Sequence, residues 1–140
     1  MKINYGQNVY NQKEITAVSN TLKIGTQMGS SVSKFEKNIS NFFSKKYGLM
    51  VNSGSSALIL ALKVLDLKKN SEVITPCLNF GTAVSSILLS DLKPIFVDCN
   101  LETLQIDANK IESKISKKTK VLLIPNLIGN IPDWIKIRKI

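Results

Sequence analysis

The chain has 140 residues, 44% of them hydrophobic, which is enough for one domain with a real core. Its 19 basic and 10 acidic residues give a formal charge of +9, and it has no histidine, which excludes any histidine-dependent triad. Two cysteines, Cys77 and Cys99, lack CxxC spacing and exclude a zinc site within these residues, while their apolar contexts suggest reduced, buried thiols. No apolar run of about 18 residues suggests a transmembrane helix, and MKINYGQNVYNQKE has no signal-peptide core, so a cytoplasmic protein is expected.

In chain order, the spacing of Ile15, Val18 and Leu22 predicts a helix from Asn11 or Gln12 to Ile24, ended by Gly25. After a loop through Ser31, the positions Val32, Phe35, Ile39, Phe42 and Phe43 predict a second helix that stops near Tyr47-Gly48. Tyr47 to Val51 reads as an apolar strand. It runs into a tight Asn-Ser-Gly-Ser-Ser turn and a helix over Ala57–Leu67, apolar almost all round and therefore expected to be buried. Further strands are expected at Glu72–Thr75, stopped by Pro76, at Pro94–Val97 and at Lys120–Ile124. Helices are expected over Gly81–Leu89 and, capped by Asp107, over Ala108–Ile115. Pro132, Trp134, Ile137 and Ile140 begin a helix that reads as continuing past the last residue, so the chain is expected to be a fragment.

Strands alternating with helices indicate an α/β fold, a three-layer α/β/α arrangement with a mainly parallel sheet. Ligands of such sheets bind beyond the carboxyl ends of the strands. Asn52–Ser56, Pro76–Phe80, Asp98 and Asn126–Gly129 all fall there. The first helical amides after a strand–turn–helix junction have no intrahelical partner and sit at the positive end of the helix dipole. With Gly54 admitting close approach and Ser53, Ser55 and Ser56 adding hydroxyls, Asn52–Ala57 suits a phosphate or other anion as well as a plain serine cap. It lacks the Gly-Lys-Ser/Thr of a P-loop, the GxGxxG of a dinucleotide fold and the second glycine of a nucleophile elbow. A cofactor phosphate remains a better match than a nucleoside triphosphate.

The positive charge raises a Lys-rich nucleic-acid-binding module as an alternative. Every basic residue except Arg138 is a lysine, and only short clusters occur: Lys45-Lys46, Lys68-Lys69, and Lys117-Lys118 with Lys120. A solvated surface explains that pattern better than a base-reading face.

Three ordered segments carry a family resemblance: GTQMGSSVSKFEKNISNFFSKKYGLMVNSGSSALILAL, SEVITPCLNFGTAVSSILLSDLKPIFVDCNLETLQID and KTKVLLIPNLIGNIPDW. Together they resemble the N-terminal part of the DegT/DnrJ/StrS family, fold-type-I enzymes dependent on pyridoxal 5'-phosphate (PLP) that act on nucleotide-linked keto sugars. The resemblance implies that Gly54, Ser55 and Ser56 hold the phosphate of PLP or pyridoxamine 5'-phosphate. It also implies that Phe80, which alone would read as a core aromatic, lies over the pyridine ring. Residues 1–30 would supply an N-terminal helix and substrate-side loop. Residues 31–140 would be the N-terminal portion of the PLP-binding large domain.

No catalytic residue is assigned, because the family's Schiff-base lysine, or the histidine that replaces it in 3-dehydrases, lies beyond residue 140. The implied activity is aminotransfer to a nucleotide-linked keto-deoxy sugar in cell-surface polysaccharide (lipopolysaccharide or O-antigen) biosynthesis; 3-dehydration is the alternative. Its partners would be that sugar and an amino donor such as glutamate, in a homodimer, with no nucleic acid or membrane. The chain departs from the family pattern at Asn126-Leu-Ile-Gly129, where many members have His-x-x-Gly, and at Thr26-Gln27-Met28, where Trp-Leu-Thr is familiar.

Overall fold

A computed structural model describes residues 6–25, 27 and 29–140, so Thr26 and Met28 of the second departure lie outside the described residues. The chain divides into two compact units, Met1–Met50 and Val51–Ile140.

In the first unit, helix α1 spans Gln12–Ile24. Asn11 caps it through a reciprocal pair of bonds: its side chain accepts from Lys13 N–H, and the Glu14 carboxylate accepts from Asn11 N–H at 2.7 Å. The predicted apolar face forms, but Val18 and Leu22 stay exposed and no residue of α1 is buried. Helix α2 covers Ser30–Phe42, ending about five residues before the expected stop. The cause is a Schellman turn. Ser44 adopts φ 52°, Lys45 N–H reaches the Ser40 carbonyl at 2.7 Å, and Ser44 N–H reaches that of Asn41 at 2.9 Å.

The strand expected over Tyr47–Val51 does not form. A strand requires a hydrogen-bonded neighbour, and no described strand pairs with this segment. Its Met50 N–H is taken by the Glu36 carboxylate instead, at 2.8 Å.

In the second unit, helix α3 runs from Gly54 to Lys63, so Gly54, Ser55 and Ser56 form its first turn rather than a loop before it. Strand β1 (Glu72–Pro76), helix α4 (Gly81–Leu89) and strand β2 (Lys93–Val97) follow. Then come the short helix α5 (Ala108–Ile111) with a 3₁₀ turn at Glu112–Lys114, strand β3 (Thr119–Leu122), a 3₁₀ turn at Leu127–Gly129 and helix α6 (Trp134–Ile137). Asp107 caps α5 as expected, accepting from Asn109 N–H. Helix α6 is a single turn, capped by Asp133 and closed at Arg138.

The sheet is parallel, in the order β2-β1-β3, with β1 central and wholly buried. Alternation along β1 sends neighbouring residues to opposite faces. Val73 packs with Leu62 of α3, Ile87 of α4 and Leu92, whereas Ile74 packs with Val97, Ile106, Ala108 and Ile111 of α5, and Ile137 of α6. Helices therefore cover both faces, which is the expected three-layer arrangement. The expectation of a buried α3 fails, since Leu62 is its only buried residue. One face of α3 meets α4 and the sheet, and its remaining apolar positions are partly or fully open.

Pro76 ends β1 at a position that costs a ladder bond. Leu123 N–H donates to the Ile74 carbonyl at 2.8 Å. In a parallel ladder the Leu123 carbonyl would then accept from residue 76, whose proline nitrogen has no hydrogen. The hydroxyl of fully buried Thr75 donates to that carbonyl instead, at 2.9 Å.

Candidate functional site

The amino-terminal ends of α3 and α4 lie at the carboxyl edge of the sheet. Each helix leads through a short turn into the start of the next strand, α3 into β1 and α4 into β2, so its first turn stands at the strands' far ends. At α3, Ser53 is the cap: its Oγ accepts from Ser56 N–H at 3.1 Å. The hydroxyls form a chain in which Ser53 Oγ donates to Ser56 Oγ at 3.1 Å and Ser56 Oγ donates to Asn52 Oδ1 at 2.7 Å. The cap thus does not use the amides on which the expected anion cradle would depend. Among the described residues no acceptor engages the amides of Gly54 and Ser55, which as the first helical donors have no intrahelical partner. The space where a Cβ of Gly54 would project is empty to at least 4 Å.

Phe80 is the cap residue of α4 and is 72% exposed, so it is not the core aromatic that its composition alone suggests. A relay fixes the turn that presents it. The Thr75 hydroxyl accepts from Asn79 Nδ2 at 2.9 Å, and Asn79 Oδ1 accepts from Phe80 N–H at 2.7 Å. Thr75 therefore joins β3, β1 and the Phe80 turn through one buried oxygen. Sequence reading missed Thr75 and Asn79, although a Thr-Pro pair closing a central strand marks a carbonyl that needs a substitute donor.

The edge continues at Asp98, just past β2. Its carboxyl lies below the ordinary range because Cys99 N–H and then Lys110, at 3.2 Å, favour the charged form. Lys110 also meets Asp107 at 3.6 Å. The thiols expected to be buried are not: Cys77 is exposed and Cys99 partly so, since both fall beyond the strand ends. Asn126, at the position of the departure from His-x-x-Gly, accepts from Trp134 Nε1 at 3.2 Å and so ties the turn to α6. Buried Gln105 clamps that turn from the other side, donating to the Leu127 carbonyl at 3.0 Å and accepting from Leu127 N–H at 3.3 Å. Nothing in the sequence around Gln105 signals that role.

The profile of the DegT/DnrJ/EryC1/StrS aminotransferase family matches residues 8–140. The chain belongs to that family. Among curated DegT/DnrJ/EryC1/StrS relatives, a GDP-4-keto-6-deoxy-D-mannose 3-dehydratase of Yersinia pseudotuberculosis is 36% identical over 94% of this chain and 35% of its own length. A 3-oxo-glucose-6-phosphate:glutamate aminotransferase of Bacillus subtilis is 37% identical over 80% of this chain and 25% of its own. The solved structure of E. coli GDP-4-keto-6-deoxy-D-mannose-3-dehydratase with bound hydrated PLP superposes with a TM-score of 0.90 at 30% identity, covering 99% of this chain and 38% of the other. The chain thus spans about a quarter to two fifths of the length of these relatives. The fold is that of the N-terminal part of a fold-type-I PLP enzyme.

Proposed function

We propose that the chain is the N-terminal, cofactor-cradling part of a PLP-dependent aminotransferase acting on a nucleotide-linked keto-deoxy sugar in cell-surface polysaccharide synthesis. The observation that carries this reading is the pair of unengaged amides at Gly54 and Ser55, beside empty space, on the same sheet edge as exposed Phe80. Those residues fit the group. Gly54 and Ser55 would hold its phosphate through backbone N–H groups and the Ser55 hydroxyl, at the favourable end of the helix dipole. Ser56 already donates to Asn52 and would contribute only by turning its hydroxyl. Phe80 would set the plane of the pyridine ring by stacking. When bound, PLP supplies an electron sink for breaking bonds at the substrate carbon. In this reading residues 1–30 form an N-terminal helix and substrate-side loop, and 31–140 the first portion of the large domain, in a cytoplasmic homodimer using glutamate as amino donor.

A second reading, 3-dehydration of the same class of sugar, is favoured by the dehydratase names of the Yersinia and E. coli relatives. Mass spectrometry of the product made by the full-length protein separates the two: nitrogen gained from glutamate marks transfer, and loss of the C3 hydroxyl marks dehydration. For the cradle itself, equilibrium dialysis against PLP tests the Ser55→Ala/Ser56→Ala double variant. Loss of one charge-assisted hydroxyl bond, with the amides kept, should weaken retention about tenfold. Retention equal to that of the unmodified protein would mean that the phosphate lies elsewhere.

A further inference from the structure

The two lysine clusters that stand far apart in the sequence meet in space. Lys68 and Lys69 precede β1, Lys117 and Lys118 precede β3, and with Lys120 they line one cavity of about 380 Å³. It sits at the amino-terminal edge of the sheet, the end opposite the first turns of α3 and α4.

Both lysine-bearing turns are held in place. In the first, Asn70 adopts φ 63° with its N–H on the Asp91 carbonyl at 2.8 Å, and Ser71 N–H closes on the Lys68 carbonyl at 3.0 Å. In the second, the Glu72 carboxylate accepts from Ser116 Oγ at 2.5 Å and Thr119 Oγ1 at 3.3 Å, while Glu72 N–H takes the Lys118 carbonyl at 2.8 Å. The β1–β3 register then skips Lys120, pairing Glu72 with Thr119 and Val73 with Val121, so Lys120 bulges out of the ladder. Lys69 meets Asp91 at 3.4 Å, and among the described residues the other four ammonium groups have no acidic partner. The Glu72 carboxylate at the start of β1 is spent on the turn and on Lys93.

We infer that this cavity is a binding site for a small, multiply charged anion of the oligophosphate class, separate from the cofactor cradle. Exposed lysine–anion pairs are individually weak, so a monovalent anion gains little, whereas a compact polyanion engages several at once. The cavity is within the range of small-molecule sites. It has no arginine or aromatic lining to read or stack bases, and no apolar rim to enter a bilayer.

Calorimetric titration of the purified chain at low salt, with inorganic pyrophosphate and with orthophosphate, tests it. Pyrophosphate is expected to bind at least about tenfold more tightly than orthophosphate, and binding should fade as salt shortens the screening length below about 10 Å. Lys117→Gln/Lys118→Gln and, separately, Lys68→Gln/Lys120→Gln should each weaken it about fivefold, while Lys13→Gln/Lys23→Gln on α1 leaves it unchanged. No pyrophosphate binding, or equal weakening by the α1 control, overturns the assignment. So does capture of an oligonucleotide or of phosphatidylglycerol vesicles through these lysines in place of pyrophosphate.

Discussion

Replacing Thr75 by valine keeps the shape of a fully buried side chain and removes a single oxygen that serves three segments. The Leu123 carbonyl then loses its donor, and Pro76 cannot supply another. A carbonyl left without a donor at this part-buried position costs up to about 1–3 kcal/mol, of which the added methyl group recovers up to about 0.8. The Asn79 arm is partly exposed and can turn to water, so it adds little. A net loss of roughly 1–2 kcal/mol is expected, equivalent to about 5–15 °C in melting temperature for a unit of this size. Trp134 is the only tryptophan and packs against the Ile74 core, so its fluorescence reports unfolding of Val51–Ile140 specifically. Urea titrations of Thr75→Val and Asn79→Ala, followed at Trp134, make the comparison. If Thr75→Val costs no more than Asn79→Ala, the hydroxyl does not replace the proline N–H, and the account of how β1 ends is wrong.

Phe80→Ala should leave the unfolding free energy from urea titration within about 0.5 kcal/mol of the unmodified protein, because the ring is 72% exposed, yet weaken PLP retention about two- to tenfold. A large stability loss with unchanged retention would return Phe80 to a packing role. The Glu72 carboxyl is held below its ordinary value chiefly by the Ser116 hydroxyl, with Lys93 and Thr119 assisting and burial opposing. Its folded value being the lower one, this stabilisation is complete above the unfolded value of about 4.3 and is lost as pH falls through the folded one. Urea midpoints measured from pH 6 down to pH 3 should therefore fall less steeply in Glu72→Gln than in the unmodified chain, and parallel slopes would contradict the linkage. The same variant should loosen the turn bearing Lys117 and Lys118 and weaken pyrophosphate binding by calorimetry, whereas undiminished binding would show that the turn holds without Glu72.

How far the sequence could be read depended on where each element finds its partners. α1, α4, β1 and β2 fall within a residue or so of expectation because caps and periodicity act locally: Asn11, Gly25 and Pro76 each carry their own signal. Tyr47–Val51 has every local mark of a strand and fails for want of a neighbour, which no local pattern supplies. The apolar girdle of α3 suggested burial, but burial depends on what packs around the helix. At the site, Gly54, Ser55, Ser56 and Phe80, which begin the helices α3 and α4 at the carboxyl edge of the sheet, were singled out through the ordered motifs. Thr75, Asn79 and Gln105 were not, since a buried hydroxyl or amide acts through atoms 22 to 48 residues away in sequence, or through a turn whose shape is known only once folded.

The strand order also bears on how the unit assembles. β1 meets β2 across an intervening segment of roughly 16 residues, but meets β3 only after roughly 42, a difference in loop-closure cost of about 0.9 kcal/mol. The β1–α4–β2 module can close first and bury Val73, Ile87 and Leu92 on one face, leaving Ile74 open until α5 and β3 arrive. During that interval the β3-facing edge of β1 offers unpaired carbonyls to any other chain. Pulse-labelled hydrogen exchange should show β1–β2 amides protected before that of Leu123. A chaperone that recognises extended apolar segments would find its target on the side of the strand that Thr75 later seals.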